Sequence, residues 1–177
     1  MLGDSVNVHC LGVSDQAALA ALVARQGAKP SIFSSMNAAT FALDGPGTMM
    51  PLDLEGFIRV MRINALASAY VAAMFEEHVA ARKKRGKVFI GSCSGSISVN
   101  VAGGHYPYWF SKAALNMVAK SDSIDLVPQV IMAVVMHPGS VAMEIRTSAT
   151  GIAVSESVSG LRSVINGLTL GMSGNFP

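Results

Sequence analysis

Charge is scarce in this sequence. Asp, Glu, Lys and Arg make up 14% of its 177 residues, well below the roughly 25% of an average soluble domain, and its mean hydropathy is +0.45. So little charge implies that much of the surface is covered, by a sheet packed on both faces or by a partner subunit. The net charge of +2 is too small to call for a nucleic-acid partner. One basic cluster, ARKKRGK at 81–87, reads as the solvated end of a helix, where cations meet the last carbonyls. Cys10 and Cys93 are the only cysteines, too few for a disulfide scaffold or a zinc site, and no metal is expected. Apolar runs such as VIMAVVM (130–136) and ALASAYVAAMF (65–75) fall short of the roughly 18 residues that suggest a membrane span. The opening MLGDSVNVHCLG lacks the basic patch and long apolar stretch of a secretory leader, so a cytoplasmic location is expected.

What is present alternates. SVNVHCLGV (5–13) reads as a strand and SDQAALAALVARQGA as a helix with Ser14 as N-cap and Gly27 near its end. SIFSSMNAA (31–39) is a second strand, followed by a turn-rich loop and a long helix from about Asp53 to Ala81. KVFIGSCS (87–94) is a third strand, and a helix runs from the Tyr106–Lys112 stretch toward Asp125. VIMAVVMHPG is unbroken in its apolar part and therefore predicts a strand buried on both faces. A last helix is predicted near 155–168. Strands alternating with helices imply one α/β domain over 1–177, a doubly wound, mostly parallel, Rossmann-like sheet. Ligands bind such sheets outside the carboxyl ends of the strands, where Asn37, Ser92 and the His-Pro-Gly of 137–139 all fall.

GGHYPYWFSKAALNM (103–117) spends a lysine on a predominantly apolar helix. Residues four apart share a helix face, so Tyr108 rather than Tyr106 is the tyrosine that lies beside Lys112. An ammonium beside a phenol favours the phenolate, and such a pair can exchange a proton with a substrate oxygen. Ser92, at the end of the preceding strand, is placed to hydrogen-bond the same oxygen. Cys93 with His105 or His137 suggests a thiol hydrolase as a weaker alternative, without a third group to orient the base.

The segment IGSCSGSISVNVAGGHYPYWFSKAALNM resembles the catalytic segment of the short-chain dehydrogenase/reductase family, nearest to its carbonyl-reductase-like branch of sniffer and C-factor proteins. Ser92 stands in a Ser-x-x-Gly context, and Tyr108 and Lys112 keep the family spacing. INALASAYVAAMF is similar to the family's long helix and puts its fourth catalytic residue on Asn64. MNAA stands where the family has Asn-Ala-Gly, with Asn37 kept, and HPGSVAMEI is similar to its Pro-Gly-x-Val-x-Thr segment. The resemblance implies an oxidoreductase using NAD or NADP on a small carbonyl or alcohol substrate. Tyr108 would move the proton, Ser92 would hold the substrate oxygen, and Asn64 would fix a water linking Lys112 to solvent. Tyr108, Lys112, Asn37, Pro138, Gly139 and Val141 would contact the cofactor. It also implies a homo-oligomer, dimer or tetramer, built on the long helix with its small residues Ala65, Ala69, Ala72 and Ala73 and on the helix of Tyr108.

The family's opening β-α-β unit, roughly 30 residues carrying a Thr-Gly-x-x-x-Gly-x-Gly turn, has no counterpart here. GSCSGSI (91–97) has the first two glycines but Ile97 in the third place, and the GPG of 45–47 lies in a loop. Gly12 stands where an Asp usually reaches the adenine, and Met143 where a Thr bonds the nicotinamide amide. SGNFP is expected to stop short of the family's last strand. The fold is thus expected to be truncated at the N-terminus and at the C-terminus; residues 5–13 must then pair directly with 31–39, pair with another chain or leave an exposed edge prone to association, and a rearranged strand or an exchange between subunits is expected. A catalytically silent, oligomerising remnant is the alternative reading.

Overall fold

Three apolar runs become three parallel strands. The computed structural model describes residues 8–27, 29, 31, 33–41, 53–81, 85–141 and 151–175. Strands β1 (Phe33–Met36), β2 (Gly86–Ile90) and β3 (Met132–Met136) lie in the order β1-β2-β3. Met36 is level with Phe89, and Phe89 with Val135. Successive side chains point to opposite faces, so each face collects its own core. Met36, Phe89, Ala133 and Val135 pack with Ala72, Leu115 and Ala119. Val88, Met132, Val134 and Met136 pack with Leu161, Ile165 and Leu168. Each fully buried Phe, Leu or Val stabilises the fold by about 1.5–3 kcal/mol.

Helices cover both faces, as the alternation of elements predicts. Helix α1 (Gln16–Gln26) is capped by Asp15, whose carboxylate accepts from Ala18 N–H at 3.0 Å, rather than by Ser14. The long helix is four pieces: α2 (Leu54–Met61), a wide π turn (Arg62–Ala67), α3 (Ser68–Met74) and, beyond a break at Phe75, α4 (Glu76–Ala80). Asp53 caps α2, accepting from Gly56 N–H at 3.0 Å. Within the wide turn the Ser68 hydroxyl donates to the Asn64 carbonyl at 3.2 Å, a competition with the backbone ladder that accompanies such distortions. Helices α3 and α5 (Tyr106–Asp125) cover the first core and α6 (Val154–Gly167) the second.

One expectation needs correction. Residues 8–13 form no strand: they are mostly exposed and turn into α1 through Asp15 N–H to the Gly12 carbonyl at 2.9 Å, while 5–7 lie outside the described residues. Among the described residues, β1 has β2 as its one neighbour and its outer edge is unpaired, the exposed edge that is one of the alternatives to pairing with 5–13. By length and composition, the 21 residues Leu54–Met74 are long and apolar enough to cross a membrane, with hydropathy 1.2, although no single run suggests it. Val60, Asn64, Ala65, Ala67, Ser68 and Ala72 of that segment are nonetheless buried within the fold.

The basic cluster also divides. Arg82, Lys83 and Lys84 lie outside the described residues. Lys87, though, is 1% exposed on the α3–α5 side of β2 rather than solvated. Its ammonium bridges Glu76 of α4 at 3.0 Å and Asp122 of α5 at 3.1 Å. Burial works to raise the Glu76 carboxyl, but hydrogen bonds from Lys87 and Gln129 outweigh it and hold the group below its ordinary value.

Candidate active site at the carboxyl ends of the strands

Strand β2 ends at Ile90, and the chain bends at once into a short 3-10 turn, Cys93–Gly95, with Ser92 as its N-cap. The Ser92 hydroxyl is buried and accepts from Ser94 N–H at 3.2 Å. After a loop with positive φ at Gly103, Gly104 and His105, helix α5 starts, with Pro107 in its first turn. A proline there has no N–H to lose and fits the φ of a helix start. Tyr108 thus stands in the first turn of α5 and Lys112 one turn on.

Lys112 is 3% exposed. Its ammonium lies over the Tyr108 ring, 5.7 Å from the centroid, and donates to the Ile90 carbonyl at 3.0 Å. Burial in this site pulls Lys112 down to about 8, because an ammonium loses its hydration there. His137, just past β3, is held below its ordinary value by burial and then by the Lys112 charge. The Tyr108 ring is packed against Phe41 at 4.9 Å, and Phe41 also meets His105 at 5.4 Å.

Asn64 is 0% exposed and fully committed. Its Oδ1 accepts from Thr40 N–H at 2.7 Å, and its Nδ2 donates to the Thr40 carbonyl at 2.9 Å and to Ser111 Oγ at 3.0 Å. Ser111 Oγ in turn donates to the Tyr108 carbonyl at 2.7 Å. The carboxamide ties the segment after β1 to the helix that carries Tyr108. Both hydrogens of its amide are taken by protein oxygens.

Pro138, Gly139 and Val141 follow β3 and are held by α6 and the residues just before it: Ser157 Oγ donates to the Pro138 carbonyl at 2.6 Å, and Val141 forms a bridge with Ile152. Met143 lies outside the described residues, as does the GPG loop. Asn37 is exposed just past β1, and its side chain bonds none of the other described residues. Cys93 is a free, exposed thiol with no hydrogen bond to either neighbouring histidine among the described residues, which leaves the hydrolase alternative without a base in contact. Among the described residues no group of three or more His, Cys, Asp or Glu could hold a metal.

The structure thus brings Tyr108, Lys112 and Asn64 onto one bonded framework, with Ser92 on the turn that follows the Lys112 anchor at Ile90. Thr40 and Ser111 are missed by the sequence reading. Ser111 does carry a signal, since it sits three residues after Tyr108 and can reach back to its carbonyl. Thr40 acts through its backbone, which no side-chain pattern reveals.

The family described as Enoyl-(Acyl carrier protein) reductase matches residues 2–165. The C-signal protein of Myxococcus xanthus is 34% identical over 125 residues, 71% of this chain and 75% of that one. A 1-hydroxy-2-glutathionyl-2-methyl-3-butene dehydrogenase of Rhodococcus sp. (strain AD45) is 36% identical over 86 residues, 46% of this chain and 38% of that one. Among solved structures, the carbonyl reductase Sniffer of D. melanogaster superposes with a TM-score of 0.89 at 24% identity, over 96% of this chain and 74% of its own. A short-chain dehydrogenase/reductase from Burkholderia multivorans with bound NADP gives 0.85 at 26%, over 93% and 70%.

Proposed function

Because the chain belongs to the short-chain dehydrogenase/reductase family, we propose that it is an oxidoreductase that reduces a small carbonyl compound, or oxidises the alcohol, with NAD or NADP. The observation that carries this reading is the buried Lys112 ammonium over the Tyr108 ring. In the direction of reduction, the Tyr108 phenol gives its proton to the substrate oxygen while the Ser92 hydroxyl holds that oxygen. Lys112 favours the phenolate left behind. Asn64 contributes by fixing the backbones of Thr40 and Tyr108, the latter through Ser111.

The residues here fit the ribose and nicotinamide end of the cofactor. Lys112 has ammonium hydrogens beyond the one given to Ile90, and Asn37, Pro138, Gly139 and Val141 flank it at the strand ends. Bound there, the nicotinamide supplies or accepts the hydride. A second reading is a catalytically silent, oligomerising chain that does not hold the dinucleotide. Titration with NADPH, followed by nicotinamide fluorescence, separates the two. Micromolar binding with turnover that Tyr108→Phe removes supports the enzyme; no binding of NADPH, nor of NADH in a parallel titration, up to millimolar sinks it.

The same reading includes a homo-oligomer, a dimer or tetramer. Phe110, Met117 and Ile124 recur every seven residues along α5 and are exposed, as are Leu54, Ile58 and Leu66 of the long helix. Phe57 meets Phe110 edge-on at 5.4 Å, so the two apolar faces adjoin. Ala65 and Ala72, by contrast, are buried inside the subunit. Sedimentation of Met117→Glu should show smaller particles than the parent; a parent that sediments as a monomer removes the oligomer.

A further inference from the structure

The Ser92 turn closes on itself, through Gly95 N–H to the Ser92 carbonyl at 2.9 Å and Ser96 N–H to the Cys93 carbonyl at 3.0 Å. Those bonds set its shape but not its place relative to Tyr108 and Lys112. Its place is set where Gly95 meets α5. A side-chain carbon added at Gly95 would come within 2.7 Å of the Lys112 carbonyl oxygen and 2.6 Å of Asn116 Nδ2. The missing side chain lets the turn lie directly on the backbone of Lys112.

A side-chain bond from α5 then holds it there. Asn116 Nδ2 donates to the Gly95 carbonyl at 3.1 Å. Residues 108, 112 and 116 are spaced by four and so line one stripe of α5. The carboxamide's own oxygen, Asn116 Oδ1, is buried and has no hydrogen-bond partner. An orphaned acceptor is unfavourable, so the side chain is kept for its donor, and the donor serves one acceptor, on the turn that carries Ser92.

We propose that Asn116 is a positioning residue: through Gly95 it fixes the distance between the Ser92 hydroxyl and the Tyr108–Lys112 pair. The inference deepens the proposed oxidoreductase reading and rests on it for its catalytic consequence. The placement of the turn stands apart from turnover and is measured apart from it.

Two variants test it, Asn116→Leu, which removes both the donor and the orphaned oxygen, and Asn116→Asp, which keeps the shape and loses the donor. Amide exchange of Gly95 and Ser96 and alkylation of the exposed Cys93 thiol read the turn directly. In both variants, exchange at those two amides should quicken about tenfold, the scale of one lost hydrogen bond, with β2 amides unchanged, and Cys93 alkylation should change with it. In the enzyme, kcat should fall about tenfold or more with KM nearly constant, while the thermal midpoint of Asn116→Leu stays close to the parent's. Unchanged exchange and alkylation in both variants overturn the positioning role, whatever turnover does. A parent without turnover overturns the oxidoreductase reading, while the exchange result still decides the placement of the turn.

Discussion

The Asn64 carboxamide holds the peptide backbone of Thr40 from both sides, accepting its N–H at 2.7 Å and donating to its carbonyl at 2.9 Å. This is strand-like pairing supplied by a side chain, 24 residues away in sequence. It holds the segment that follows β1 and reaches Tyr108 through Ser111. Asn64→Ala strips partners from the Thr40 backbone and from Ser111 together. A loss of about 3 kcal/mol in urea unfolding is expected, each buried group left unpaired costing about 1–3 kcal/mol. A loss below about 1 kcal/mol would mean that water replaces the carboxamide.

Lys112 is destabilising where it stands. Its ionisation is held near 8 by burial, against an ordinary value of 10.5, so below pH 8 the folded state carries a poorly hydrated charge that costs roughly 3 kcal/mol. Between the two values the unfolded chain binds the proton and the folded one does not, so parent stability rises with pH there. Lys112→Met, allowing for the lost bond to Ile90, should therefore be about 1–2 kcal/mol more stable than the parent at pH 7. That advantage should shrink between pH 8 and 10.5 in thermal melts at matched ionic strength. Turnover by the parent should decline above about pH 8, as the ammonium is lost. A Lys112→Met protein less stable than the parent at every pH contradicts the burial argument.

Lys87 has the opposite balance, because two carboxylates meet it. Lys87→Ala removes a buried cation from between Glu76 and Asp122 and should destabilise the fold by about 3 kcal/mol. Lys87→Met, which refills the volume, should cost less. The depressed Glu76 carboxyl adds a pH signature. Its contribution is complete above the unfolded value of 4.5 and is lost as pH falls through the lower folded value. Acid unfolding of Lys87→Met should show that component reduced, the Gln129 bond remaining, and an acid profile parallel to the parent's would contradict the coupling.

Val130 has φ 59° and ψ 36°, the left-handed region, on the turn that leads into β3. A β-branched side chain is unfavourable there by about 1–2 kcal/mol. Val130→Gly should raise the urea midpoint by an amount equivalent to about 1 kcal/mol, since the side chain is exposed and little burial is lost. An unchanged or lower midpoint would show that the strain is relieved elsewhere.

What could be read from the sequence is what depends on near neighbours. The spacing of Tyr108 and Lys112, the unbroken apolar run of β3 and the helix ends at Asp53 and Gly27 all follow from local rules, and the structure keeps them. Lys87 could not be read, because it ends a run of cations that looks like a helix terminus, while its partners come from 11 and 35 residues away. The roles of Asn64 and Asn116 were hidden in the same way, since Asn116 bonds the Gly95 backbone and Asn64 the Thr40 backbone, with Ser111 as its one side-chain partner among the described residues. The strand expected over 5–13 rests on alternation alone, and pairing, which sequence does not display, decides whether alternation becomes a strand.

The wide turn at Arg62–Ala67 puts Leu54–Met61 and Ser68–Met74 out of phase along one rod. A π turn holds about one residue more than the α turn it stands in for, so the surplus is taken up within Arg62–Ala67 while Val60 before it and Ala72 after it both stay buried. Deleting one residue inside that turn would let the rod close into a continuous α-helix with both ends kept on their seats. Homologous chains should therefore tolerate the loss of one residue there.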